Sequence, residues 1–425
     1  MRFQTLAEWL AWQETLHPKA IDLGLDRVRT VAERLDLLRP KHLVITVAGT
    51  NGKGSSAAML ESILHSAGQR VGAYTSPHLL DYNERIRIDQ TPAGDDAIIA
   101  AFARIDAARG DLSLSYFEFG TLAALDIFQR AGLDVAVLEV GLGGRLDAVN
   151  IQDAGCALVT GIGIDHVEWL GADREAIGQE KAGIFRAGRP AVCSDPQPPN
   201  SVRAACRDKD AVWFGLGEQF GYVVHGDSWS WWGPTLELRG LPLPALPGAV
   251  QPQNAAGVLM ALHSLGARLP LTLHSIHAGL RNVRLLGRFQ IVPGAVERVF
   301  DVAHNPHAAA GLAAGLAARA CAGRTLAVCG MLADKDAAGV AAALQSQVQA
   351  WFLGSLDGER GQSAQSLAQR MALPDAQMQV YASIQAAYDA AIAAAQPGDR
   401  ILVFGSFRTI AELLPAAYNA ATADV

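Results

Sequence analysis

Short continuous apolar runs alternate along the chain with stretches whose apolar residues recur every three or four positions, and this alternation predicts strands between helices. Phe3, Leu6, Trp9 and Leu10 predict a short amphipathic helix, and 28–38 a second one. Leu43 to Val47, largely apolar and β-branched, read as a buried strand. A glycine-rich turn follows over 49–55, and Ala57, Ala58, Met59, Leu60, Ile63 and Leu64 continue as a helix. Further strands are predicted at 71–74, 134–140 and 157–160, with helices over 95–108, from about 173 to 185, and one that 115–118 leads into and that runs to about 130. The near-continuous apolar run at 134–140 is that of a central parallel strand. From 191 to about 247 the pattern loosens into short strands and loops. Within it, 228–233 reads as a β-ribbon with packed tryptophans and 241–247 as a stiff connector. Helices over 255–265 and 273–281 precede a strand that 287–290 starts, and then a second series with strands at 299–302, 325–329, 350–353 and 401–404 and an alanine-rich helix over 308–322.

The predicted fold class is therefore α/β. An N-terminal P-loop-like ATPase domain surrounds a central, mostly parallel sheet, and a smaller C-terminal domain is doubly wound α/β. The predicted boundaries are 1–285 for the first domain, 286–296 for a linker and 297–425 for the second domain. Composition fits: half of the 425 residues are hydrophobic, 42 are glycine and only 7% are aromatic, as in a turn-rich protein with alanine-rich helices. The net charge of −7 argues against a nucleic-acid surface, so an anionic substrate needs local positive charge. Cysteines at 156, 193, 206, 321 and 329 form no metal-type pair or disulfide framework, which points to a reducing cytoplasm. The N-terminal MRFQTLAEWLAW has no signal-peptide core, and no apolar run is long enough to span a bilayer, so no membrane partner is expected.

The chemistry centres on LVITVAGTNGKGSS at 43–56. A strand, a glycine turn and a helix together cradle phosphate with backbone N–H groups and the partial positive charge of the helix end. Lys53 is placed to reach the outer phosphates of a nucleotide and Ser55 to help hold Mg²⁺. The loop departs from a Walker A pattern, because two residues rather than four separate Gly49 from Gly52 and Gly54 intervenes before Ser55. Ser76 and His78 lie at the end of the next strand, on the edge where open α/β sheets bind ligands. Glu139 ends another strand; it is either neutralised by Arg145 or a Walker-B-like acid that orders Mg²⁺. His166 follows a further strand end and is either structural or a contributor to a second metal site, directly or through water. Lys181 reads as an ordinary helix lysine with room for burial, and Asn254 as an N-cap or a ligand contact. Asp301, His304 and His307 cluster at the first strand end of the second series.

Several motifs in one order carry a resemblance over about 9–414. They are TVAGTNGKGSS (46–56), TSPHL (75–79), LEVGLGGRLDAVN (138–150), DHVEWLG (165–171), EKAGIF (180–185), GRFQ (287–290) and DVAHNPH (301–307). The chain resembles the folylpolyglutamate synthases of the Mur ligase superfamily, most nearly the bifunctional bacterial type that is also a dihydrofolate synthase. The resemblance implies ATP-dependent amide ligation: a pterin carboxylate is phosphorylated by ATP with Mg²⁺, and the amino group of L-glutamate attacks the acyl phosphate. The substrates implied are dihydropteroate, reduced folates and L-glutamate, in a cytoplasmic monomer. The resemblance also assigns residues. Asn51, Gly52, Lys53, Gly54 and Ser55 correspond to the triphosphate loop, and Ser76, Glu139 and His166 to the metal-site residues. Lys181 corresponds to a carbamylated lysine, while Asn254, Arg288 and Asp301 correspond to nucleotide contacts. His304 corresponds to a residue near the transferring phosphate or incoming glutamate. Ile21, Asp22, Leu23 and Gly24, then Ser115, Tyr116, Phe117 and Glu118, and Leu146, Asp147 and Ala148 correspond to a dihydropteroate site.

Two other enzymatic readings are a monofunctional folylpolyglutamate synthase and a ligase that joins amino acids to a UDP-muramyl precursor. The phosphate loop begins by residue 49, which leaves no room before it for the extra UDP-binding domain of the latter. A catalytically idle nucleotide-binding scaffold is a third, opposed by the presence of Lys53, Glu139, Lys181, Asp301 and His304.

Overall fold

The computed structural model describes residues 2–19 and 21–414, so Met1, Ala20 and the 415–425 end of the expected second domain lie outside the described residues. The protein is α/β, and it divides into two compact units. The first takes Met1–Gly163, Val167–Ala245 and Pro252–Val283; the second takes Ile164–His166, Leu246–Gln251 and Arg284–Val425.

The first unit is built on eight strands: β1 (Leu43–Ala48), β2 (Val71–Tyr74), β3 (Ile86–Ile88), β4 (Thr91–Pro92), β5 (Val135–Glu139), β6 (Cys156–Val159), β7 (Pro190–Cys193) and β8 (Val212–Gly215). They lie in the order β4-β3-β2-β5-β1-β6-β7-β8, parallel except for the β2-β3-β4 edge. β1 is fully interior, with β5 on one side and β6 on the other, so three consecutive strand ends of this row meet at the loop after β1. Helices Lys53–Ser66 and Tyr116–Ala131 supply much of the core. A three-stranded antiparallel ribbon, β9 (Gly221–His225), β10 (Ser228–Trp232) and β11 (Glu237–Pro242), follows in the chain. Trp229 and Trp231 are buried, donating to Pro242 O and Ala256 O, whereas Trp232 is exposed.

The second unit carries β12 (Gln290–Val292), β13 (Glu297–Asp301), β14 (Thr325–Cys329), β15 (Ala350–Gly354), β16 (Met378–Tyr381) and β17 (Arg400–Phe404), in the order β12-β13-β17-β14-β15-β16. All pairs are parallel except β12 with β13. β12 lies where a strand was expected to start at 287–290, inside the 286–296 linker, and pairs through Gln290–Phe300, Ile291–Val299 and Val292–Arg298.

Several local expectations are corrected. The helix expected over 28–38 spans Asp26–Arg34. It stops because Asp36 adopts φ +56° and Leu37 N bonds back to Ala32 O, a closure that caps the last carbonyls. The loosely patterned 191–247 contains β7, β8 and the helix Asn200–Asp208. That helix lacks a side-chain cap of its own; the distant Glu175 carboxylate accepts from Asn200 N and Ser201 N at 3.0 and 2.7 Å. The helix expected from Ala255 begins at Gln251, with Pro252 in its first turn, where a missing N–H leaves nothing unsatisfied. Asn254 is therefore inside the helix and not its N-cap.

Candidate active site

In the first unit the loop after β1 is a compact backbone cradle. Gly49 has φ +152°, and a Cβ there would lie 1.8 Å from Thr160 Oγ1. Gly52 has φ +91°, and a Cβ there would lie 2.5 Å from Asn254 Oδ1. Both glycines are thus required by backbone angle and by close approach. Thr160, directly after β6, donates to Asn51 O at 2.7 Å and to Ala48 O at 3.2 Å, while Thr50 N and Asn51 N donate to Gly161 O. Thr160 had no signal in the sequence beyond its strand-end position, yet it braces the loop.

The Lys53 ammonium donates to Gly49 O at 2.9 Å and to Thr50 O at 3.2 Å. Lys181, buried at 3% exposure, also donates to Gly49 O, at 3.1 Å. The two ammonium groups meet on one carbonyl and lie within about 6 Å of each other. Two unit charges at that separation oppose one another by ~3 kcal/mol at an effective dielectric of 20. A helix lysine of ordinary appearance is thus part of the loop's charge system.

Glu139, at the end of β5, is buried and pairs in register with Val47 of β1. Its Oε2 accepts from Ser76 N at 3.1 Å, so Ser76 and Glu139 are brought together. The reading in which Arg145 neutralises Glu139 is overturned, because the Arg145 guanidinium is held by Glu180 at 2.8 Å. Ser55 is buried in the first turn of its helix, and Asn254 is buried against Gly52. Ser55, Ser76 and Glu139 offer hard oxygen donors suited to Mg²⁺. Among the described residues, no three or more His, Cys, Asp and Glu groups gather as a metal cluster of their own.

The three segments given to a pterin converge in the same unit. Arg27 links two of them, at 2.7 Å from Asp22 Oδ2 and 3.1 Å from Glu118 Oε1, and it also donates to Asp22 O. His17 Nε2 lies 3.1 Å from Asp22 as well. Nothing local in the sequence marks Arg27; its bridging role depends on a contact 91 residues away. Ser115 and Glu118 form a capping box for helix Tyr116–Ala131, so their polar groups are engaged in that cap. Phe117 leans on Gly141, where a Cβ would lie 2.6 Å from its ring, and Tyr116 lies under the Arg85 guanidinium at 5.6 Å. Asp147, buried between Leu146 and Ala148, accepts from Leu142 N and Val149 N. Burial pushes its carboxyl up to about 6, against those two N–H groups, that of Gly141 and the Lys53 charge.

His166, Arg288, Asp301 and His304 belong to the second unit. Asp301 ends β13 and accepts from Phe289 N at 2.7 Å and Ala303 N at 2.8 Å. This ties the turn carrying Arg288 to the strand end. Burial raises the Asp301 carboxyl above its ordinary value, opposed first by the Arg288 charge. Arg288 also lies 5.2 Å from the Phe407 ring. His304 Nδ1 bonds Val302 O at 2.8 Å, and its Nε2 faces Asp165 at 3.4 Å. Asp165 is a hub that sequence reasoning left without a role. It accepts from the buried Lys335 at 2.7 Å and from Asn305 at 3.1 Å, with His166 at 4.0 Å. Burial alone would raise Asp165; the His304 hydrogen bond and the charges of His166, Lys335 and His304 outweigh it and hold the carboxyl well below the usual range.

A phosphate-type glycine loop at the centre of a parallel sheet and a second α/β unit with a charged strand edge define a class, the Mur-type ATP-dependent ligases. Residues 287–407 match the Mur ligase, glutamate ligase domain. The dihydrofolate synthase/folylpolyglutamate synthase of Escherichia coli strain K12 is 48% identical over 409 residues, 96% of this chain and 94% of that protein. An E. coli structure in complex with DHPP and ADP superposes with a TM-score of 0.94 at 46% identity, covering 98% of each chain. A bifunctional folylpolyglutamate synthase/dihydrofolate synthase with Mn, AMPPNP and L-glutamate bound superposes with a TM-score of 0.91 at 46% identity, covering 97% and 98%. The chain belongs to the dihydrofolate synthase/folylpolyglutamate synthase family.

Proposed function

We propose that the protein is an ATP-dependent carbon–nitrogen ligase that joins L-glutamate to dihydropteroate, giving dihydrofolate, and to reduced folates, giving polyglutamates. The observation that carries this reading is family membership along nearly the whole chain, 96% of it at 48% identity. The geometry supports it: Lys53 and Lys181 meet on the carbonyl of Gly49 beside the buried Glu139.

In this reading residues 1–285 bind ATP and carry the pterin site, 286–296 join the halves, and 297–425 form the glutamate and nucleotide side. The loop Asn51–Ser55 receives the triphosphate on its N–H groups, and Asn254 keeps Gly52 in its tight turn. The substrate carboxylate attacks the γ-phosphorus and ADP leaves, forming the acyl phosphate. Two anions must approach for that step, and unit charges 4 Å apart repel by roughly 4 kcal/mol at a dielectric of 20, on the order of a thousandfold in rate. Lys53 offsets that repulsion. Mg²⁺, when bound through Ser76 and Glu139, with His166 as a further contributor, supplies charge neutralisation of the phosphoryl group. Lys181 as a carbamate becomes an anion, which removes its conflict with Lys53 and adds an oxygen donor. Arg288 and Asp301 serve the nucleotide from the second unit. His304, oriented through Nδ1 by Val302 O, stands by the incoming glutamate. The glutamate nitrogen attacks the acyl carbon, loses a proton, and phosphate departs.

Ile21–Gly24, Ser115–Glu118 and Leu146–Ala148 bind the pterin, with Phe117 as an apolar wall and the Asp147 carboxylate accepting from ring N–H donors. The five free cysteines suit a reducing cytoplasm, and a monomer needs no further chain for this chemistry. Among the described residues no helix is long and apolar enough to cross a membrane. The test is phosphate release with ATP, Mg²⁺ and glutamate, with dihydropteroate in one reaction and a reduced folate in another, and the amide product weighed by mass spectrometry. Both substrates are expected to react. Turnover of reduced folate alone would leave a monofunctional synthase and remove the pterin assignments at 21–24 and 115–118. Turnover of neither, with ligation to a UDP-muramyl substrate, would overturn the reading.

A further inference from the structure

A cavity of about 480 Å³ in the first unit has a role in none of the chemistry above. Its volume falls within the ~300–1,000 Å³ typical of small-molecule pockets. Arg29, Arg145, Arg186 and Lys209 stand in its wall, and Asp153 is the single carboxylate facing them there. That balance runs against a chain of net charge −7. Arg145 is paired with Glu180, and Arg186 with Asp153, whose side chain is otherwise 84% exposed. The Lys209 ammonium donates to the Gly183 and Phe185 carbonyls, at 2.9 and 3.4 Å, which bind it without neutralising it. The exposed Arg29 guanidinium has no hydrogen-bond or ion-pair partner among the described residues. Burial, then the charges of Arg186 and Arg145, pull the Lys209 pKa below its ordinary value, so these cations repel one another. Crowded cations with two members uncompensated are what a bound anion relieves.

We propose that this cavity binds a compact multivalent anion carrying carboxylate or phosphoryl groups, with Arg29 and Lys209 as its principal contacts. Its place in the chain suggests a source. Leu25 in the wall follows Ile21–Gly24 directly, and Arg145 directly precedes Leu146–Ala148, so the cavity adjoins two of the three pterin segments. A γ-linked oligoglutamyl tail carries one α-carboxylate per residue and fits this chemistry; naming that source rests on the proposed function, whereas the anion site does not. A free polyphosphate is the other source.

The experiment is calorimetric titration of the full chain, with ADP saturating the glycine loop, using γ-linked triglutamate in one arm and inorganic tripolyphosphate in the other. The same titrations are run on Arg29→Glu. Arg29 is exposed near the start of helix Asp26–Arg34, where an acidic side chain suits the helix dipole, so this variant folds. At least one probe is expected to bind the wild type and to bind Arg29→Glu at least tenfold more weakly, with ADP affinity unchanged. Binding of triglutamate alone assigns the tail as ligand, and binding of tripolyphosphate alone assigns a phosphoryl anion. No binding of either probe, or equal affinity in wild type and variant, would overturn the site. Because no turnover is read, a failed ligase assay leaves this result standing, and a failed titration leaves the ligase reading standing.

Discussion

Gly49→Ala tests whether the glycine loop is held by contact as well as by backbone freedom. At φ +152° an alanine is strained, and its Cβ would lie 1.8 Å from Thr160 Oγ1 and 3.2 Å from Thr160 N. The hydroxyl has to leave, giving up its bonds to Asn51 O and Ala48 O. A residue held in a disfavoured region costs about 1–3 kcal/mol and each of the two lost hydrogen bonds about 0.5–1.5, so the variant should lose about 2–6 kcal/mol of stability in the first unit. Denaturant unfolding followed by tryptophan fluorescence reads that unit, since every tryptophan except Trp351 belongs to it. The steric part is isolated by Thr160→Ala, which removes the clashing oxygen and leaves a Cβ at 3.0 Å, tight but adjustable. The double variant should therefore be less destabilised than the sum of the single variants, by about 1–3 kcal/mol. ADP affinity, read by calorimetry, should fall in Gly49→Ala and recover partly in the double variant. Strict additivity, or a Gly49→Ala protein as stable as wild type, would refute the idea that Thr160 shapes the loop.

Three further outcomes are expected. Lys53→Ala should fold normally by circular dichroism yet lose turnover by orders of magnitude in the phosphate-release assay; near-normal activity would remove Lys53 from the chemistry. Lys181→Ala should be inactive and partly rescued by a small added carboxylate, while intact-mass analysis of the wild type should show an added CO₂. Absence of both rescue and modification would count against carbamylation. The Asp147 carboxyl, raised from 3.8 to about 6, binds its proton more tightly folded than unfolded. Its contribution to stability is therefore complete below about pH 4 and is lost as pH rises through about 6, a change of ~3 kcal/mol. The stability of wild type relative to Asp147→Asn should fall by about that much between pH 4 and 7.5, and parallel pH curves would show that the group is not perturbed.

The fold was legible wherever one strand or helix carries its own pattern. β1, β2, β5 and β14 lie where the apolar runs predicted them, and 115–118, expected to lead into a helix, hold the Ser115–Glu118 capping box at its start. The helix ends were missed for local reasons, whereas the helix inside 191–247 was missed because its stabilising partner is distant in sequence. Helix Asn200–Asp208 is capped by Glu175, 25 residues before it, whereas β12 falls where a strand was expected to start. The candidate site divides in the same way. The glycine loop and Glu139 announce themselves by spacing and by strand-end position. Thr160, Arg27, Asp165 and Lys335 act through partners 91 to 170 residues away, so no local window contains them. The Lys181 position in a helix is plain from the sequence, but its reach to Gly49, 132 residues away, is not.

What joins these residues is the strand order. With β5 and β6 flanking β1, the loop after β1 has Glu139 on one side and Thr160 on the other, each one strand spacing away, about 4.8 Å. Thr160 and the two glycines fix the backbone, and Gly49 O is then positioned to receive both ammonium groups. The loop thus concentrates positive charge at the one place where an acidic chain must attract a triphosphate. The same concentration sets a limit, because two neighbouring cations disfavour the hard metal ion that the phosphates bring with them. Changing the sign of Lys181 resolves this without any new side chain: the repulsion of ~3 kcal/mol becomes an attraction of similar size, and the site gains donors while Lys53 keeps its charge. The carbamylation proposed for Lys181 thus rests on the geometry of one carbonyl as well as on family resemblance, and for that reason the mass of unmodified Lys181 in an active wild-type preparation would weigh against both arguments together.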